Sequence, residues 1–168
     1  MEKDPTQFVE EIRANVAFEH LVAAIVSGAA LATAIFFVLD FSGLVFAGAL
    51  SAPNLLALIL KSFTVCIMVF LIGFLAGALI ITSLFKTLEK AKRRSVWPYL
   101  AASIGVTGIS LITLSSLPGA GAPELALIIA VIAAGLFIAF DFGRRMSPLW
   151  RASERAEEQA VGKVRRLH

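Results

Sequence analysis

Cysteine, histidine and charge are all scarce in this chain of 168 residues. One cysteine, Cys66, excludes an intrachain disulfide, and two histidines, His20 and His168, do not make a Cys/His metal cluster or a pair of haem ligands. Charged residues are 16% of the chain, against about 25% in soluble domains. Apolar residues fill the space they leave, at 58% of the total and a mean hydropathy of +0.86. That composition excludes a soluble enzyme, a disordered tail protein and a disulfide-stapled secreted domain. Catalytic chemistry is missing too, because no nucleophile has a base within a plausible motif. The glycine-rich stretches Gly105-Val106-Thr107-Gly108 and Gly119-Ala120-Gly121 follow no strand, so neither reads as a phosphate loop. No enzyme activity and no cofactor are expected.

What the chain has is long uncharged runs. Leu21 to Leu39 and Ser62 to Phe85 carry no charge, nor does Ser95 to Pro123, which the turn from Pro118 to Pro123 interrupts. Leu125 to Phe140 is a fourth run. A bilayer core about 30 Å thick needs roughly 20 helical residues. The pattern therefore predicts an all-α integral membrane protein with four transmembrane helices, at 19–41, 55–88, 96–117 and 123–143. An open strand edge in lipid would leave backbone groups unpaired, which favours helices. The second span is long enough to tilt or to project beyond the bilayer. The first 20 residues hold five acids and two bases, the wrong pattern for a cleaved signal peptide.

Orientation follows from Lys and Arg near span ends. The connection 86–94 carries five, the segment after Gly143 seven and the N-terminal segment two, whereas 41–54 and 118–123 carry none. Both termini and the middle loop are thus expected on the cytoplasmic side of a bacterial or archaeal inner membrane. Trp97, Tyr99 and Trp150 fit an aromatic belt on that side.

Residues 1–18 read as a separate amphipathic helix, with Asp4 as cap, Pro5 in the first turn and Phe8, Ile12 and Val16 on one face. Its acidic charge matches the basic loop and tail. Residues 144–168 read as a basic cytoplasmic tail, in which a polar helix at 149–161 follows the break at Ser147-Pro148 and ends at Gly162. Anionic lipid headgroups are the expected partner of the basic loop and tail, and nucleic acid is not.

Three ionisable residues fall inside the spans: Asp40, Lys61 and Asp141. Each needs a reason, because insertion costs about 2.5–3.5 kcal/mol at a helix centre. Lys61 is expected to reach Asp40 as an ion pair fixing the first hairpin, with an ion-binding outer vestibule as the competing reading. Asp141 is expected to pair with Arg144 and Arg145, or across the bundle with Lys86 and Lys90. Small residues give the packing signal: Gly73 and Gly77 in the second span, Gly28 with Ala24 and Ala32 in the first, and Gly105 and Gly108 in the third. The opposite face of the third span carries Ser103, Thr107 and Ser110, hydroxyls at a spacing that would line a pore if several copies surrounded an axis.

Two functional readings emerge. The first is a non-catalytic protein acting by association, as an accessory or scaffold subunit of a membrane assembly or as a homo-oligomer. The second is an oligomeric pore, a small channel or a holin-like permeabilising protein.

Overall fold

The computed structural model describes residues 5–91, 94–116 and 124–165, with side chains for 13–89, 91, 94–113 and 124–155. The described residues are helical, with short connections and no strand. Helix α1 spans Pro5–Phe46 and α2 Ala52–Ala76. A π-helical turn, Gly77–Ile81, leads into α3, Thr82–Lys90. Helices α4, Trp97–Ser116, and α5, Leu125–Arg165, complete the chain. Three stretches, Arg13–Phe46, Ala52–Glu89 and Leu125–Arg155, are long and apolar enough to cross a membrane. Helix α4 is the shorter, fourth apolar helix.

Two expected breaks are absent. The N-terminal segment is not a separate helix, for α1 continues through 42 residues. Nothing in 13–21 ends a helix, and Ala17 and Leu21 are both buried, so packing continues across the expected boundary. Helix α5 likewise passes through Pro148. Proline there removes one hydrogen bond to the Arg144 carbonyl. Pro148 lies on the exposed face, while Met146 and Trp150 on either side are buried against the core and hold the helix on course.

Helix α1 ends where Gly48 takes φ +63°. The Ala49 amide donates to the Leu44 carbonyl at 3.0 Å and Gly48 to Val45 at 3.1 Å, a Schellman ending that glycine accommodates without a Cβ clash. Ser51 then caps α2, accepting from the Asn54 amide, with Pro53 in the first turn. This tight connection makes α1 and α2 antiparallel neighbours.

Helix α1 lies at the centre and packs most extensively on α5 and α2, while α4 lies against α5. The order across the bundle is therefore α2, α1, α5, α4. One core cluster, at the end bearing the basic connection, joins Leu21, Ile25, Phe85, Tyr99, Phe142 and Trp150. A second, towards the other end, joins Ala29, Ala32, Phe36, Leu58, Ala130 and Ala134. Tyr99 and Trp150 are thus core residues, stacked with ring centroids 6.2 Å apart, and Trp97 alone of the expected belt is exposed. Tyr99 also meets Phe142 edge-on at 5.1 Å, so its ring is enclosed on two sides and closed off from a lipid-facing position.

Candidate functional site

The small residues of the first two spans hold the bundle itself together. A Cβ on Gly28 would collide with the Ile138 side chain, lying 2.8 Å from its Cδ1. A Cβ on Gly73 would sit 3.1 Å from Ile25 Cγ2, and one on Gly77 3.1 Å from Leu21 Cδ2. The Gly73/Gly77 pair thus packs α2 onto α1 within one chain. Ala24, Ala32, Ala130 and Ala134 are almost wholly buried along the same seams, as close backbone approach requires. Gly105 and Gly108 differ: among the described residues nothing lies within 4 Å of where their Cβ atoms would be.

The intramembrane charges sit at opposite ends. Asp141 is 4% exposed, and its carboxylate accepts from Arg145 Nε at 2.8 Å and lies 3.7 Å from Arg144 Nε. These are the near partners along its own helix. Lys61 does not reach Asp40. It donates to Glu124 Oε1 at 2.9 Å, a pair about half exposed on both sides. Glu124 sits just before α5, and because α2 and α5 both run antiparallel to α1, the start of α5 comes beside the early turns of α2. A third pair, Arg13 with Glu89 at 3.3 Å, joins α1 to α3. Here the cation comes from the N-terminal segment and the acid from the basic connection, the reverse of the expected attraction.

The hydroxyl stripe of α4 turns towards α5. Ser103 Oγ donates to the Gly135 carbonyl oxygen, and a Cβ on Gly135 would collide with Thr107 Oγ1. Ser110 Oγ donates to the Val106 carbonyl at 2.8 Å, a local bond common for hydroxyls in apolar helices. Gly135, which no periodicity in the sequence marks, is where α5 makes room for both hydroxyls.

Because α4 lies on α5 and meets the π turn at its edge, a gap remains between α4 and α2. The gap is an open cleft with about 590 Å³ of empty space, counted out through its mouth. Ser103, Thr107 and Ser110 line it from α4, Val131 and Gly135 from α5, and Val69 and Gly73 from α2. None of its described lining residues is ionisable. A second cleft, of about 720 Å³, lies at the basic end, where Arg13, Glu89 and Trp150 meet. Among the described residues no group of His, Cys, Asp and Glu is arranged to hold a metal ion. Cys66 is a partly buried free thiol packed against the second core cluster. The chain matches no family model, and neither a curated protein nor a solved structure is significantly similar to it.

Proposed function

We propose that the chain is a four-span integral membrane protein, with both termini on the cytoplasmic side, that acts by association as a non-catalytic accessory or scaffold subunit of a membrane assembly or as a homo-oligomer. Fourteen of its fifteen Lys and Arg residues fall in segments that this topology leaves on one side, which supports the orientation. Helix α4, with 20 residues, is about 30 Å long and matches the hydrocarbon core. The basic connection and tail then face the anionic headgroups of the inner leaflet.

One observation carries the reading: α4 is attached along one flank, and its glycine face, with Gly105 and Gly108, meets nothing among the described residues of its own chain. At Gly28, Gly73, Gly77 and Gly135 a neighbouring helix covers such a face. A partner helix in the bilayer would cover this one by van der Waals packing. Native mass spectrometry after gentle extraction from the source membrane tests it. A second chain in fixed stoichiometry, foreign or identical, is the expected result, and a single chain overturns the reading. A closed ring of identical chains would favour the alternative, an oligomeric pore. The hydroxyls of α4 line a cleft inside one chain, so such a pore would run through each protomer beside α5.

A further inference from the structure

We propose that the cleft between α2, α4 and α5 is a binding site for the hydrocarbon chain of a membrane lipid, which enters sideways from the bilayer between α2 and α4. The inference rests on the transmembrane reading above and names the occupant of the cleft described there.

Size decides first between a chain and a helix. A transmembrane helix of 20 residues, about 10 Å across and 30 Å long, fills roughly 2,000 Å³. The cleft offers about 590 Å³, far too little. That figure includes the open mouth, so at about 30 Å³ per methylene-sized group, the volume of a water molecule in the liquid, the enclosed part takes well under about 20 such groups. That is a segment of a lipid chain, not a whole one.

Chemistry decides next between hydrocarbon, ion and water. Among the described residues no lining side chain is ionisable, so an ion or a charged headgroup would enter without a counter-charge. Two of the three hydroxyls, Ser103 and Ser110, already donate to backbone carbonyls. A column of water would need two to four polar partners for each molecule, and walls of Val69, Ile72, Val106, Val131 and Ile138 do not supply them. A neutral apolar chain needs none.

Position supplies the route. The ionic groups lie beyond the two ends of the cleft, Lys61 with Glu124 at one and Asp141 with Arg145 at the other. The cleft occupies the middle of the helices, level with Ser103 to Ser110 in α4. Its open side continues into apolar surface, where Leu71, Leu75 and Leu79 of α2 and the π turn are all more than half exposed. Lipid tails that cover those leucines are therefore in continuous contact with the mouth of the cleft.

The test reconstitutes the full chain in phosphatidylcholine vesicles containing a trace of phosphatidylcholine with a diazirine midway along one acyl chain. After illumination, adducts are mapped by mass spectrometry. The expected pattern is labelling of the cleft walls, 102–110 and 131–138, several-fold above the open face of α2 at Leu56, Leu60 and Phe63. Val106→Phe fills the cleft and should lower wall labelling several-fold without changing labelling of the α2 face. Ala102→Phe should act in the same way, in case one variant folds poorly, and Ile109→Phe on the outward face should leave the pattern intact. Even labelling along all apolar surfaces overturns the proposal. So does wall labelling that both cleft-filling variants leave unchanged while they elute and melt as the parent does. Wall labelling in a protein that native mass spectrometry finds as a single chain would overturn association and keep the lipid site. The opposite pair of results would do the reverse.

Discussion

Helices α1 and α4 both present a stripe of small residues, and the two stripes meet opposite fates. Ala24, Gly28 and Ala32 are buried between α2 and α5, so tightly that a single added carbon at Gly28 strikes Ile138. Gly105 and Gly108 look outward, with none of the described residues against them. A small residue permits close approach but does not choose a neighbour. The choice is made by the rest of the chain. The short Gly48 turn folds α2 back on α1, and the alanines of α5 cover the remaining flank. Helix α4 arrives beside α5 with its hydroxyls, and its glycine face is left over.

Three substitutions break or sharpen this contrast. Gly28→Leu forces a large side chain into the α1–α5 seam, and overpacking of this kind costs about 3 kcal/mol or more where neither helix can retreat. Loss of the folded chain in detergent, measured by thermal unfolding, is the expected outcome, with partial recovery when Ile138→Ala is added. Gly135→Ala presses on Thr107 Oγ1 and lies 3.3 Å from Ser103 Oγ, so it strains the main seam that holds α4. We expect a loss of about 1–2 kcal/mol, recovered by Thr107→Ala, since the obstacle is a side-chain end that can be removed. Gly105→Ala should change the unfolding midpoint of the isolated chain by less than about 1 kcal/mol, with helix propensity favouring alanine. If it instead lowers the midpoint as Gly28→Leu does, the glycine face of α4 is packed in solution and the contrast fails.

The helices were legible in the sequence because long uncharged runs and their flanking bases follow directly from the cost of charge in lipid. Their ends were not. The expected break near residue 18 rested on amphipathic spacing, and the break at Pro148 on a local preference of proline. In both places buried neighbours, Ala17 with Leu21 and Met146 with Trp150, override the local signal. The partner of Asp141 could be read from spacing because it lies one helical turn away. The partner of Lys61 could not, since it depends on which helix end comes alongside. The cleft was equally hidden: the hydroxyls of α4 were visible, but Gly135 opposite them is marked by no periodicity.

The π turn at Gly77–Ile81 resolves a phase problem in the chain. Gly73, Gly77, Ile81 and Phe85 follow one another at intervals of four, whereas a regular α-helix repeats every 3.6 residues and would carry such a series steadily around its surface. The wider turn takes up the surplus, so Ile81 and Phe85 remain on the core side below the glycines. One residue between 77 and 81 is thus supernumerary, and a chain shortened by one there would regain an ordinary helix with both flanking faces in place. The same deletion near Val69 would rotate everything below it by about 100°, and turn Ile81 and Phe85 away from the core.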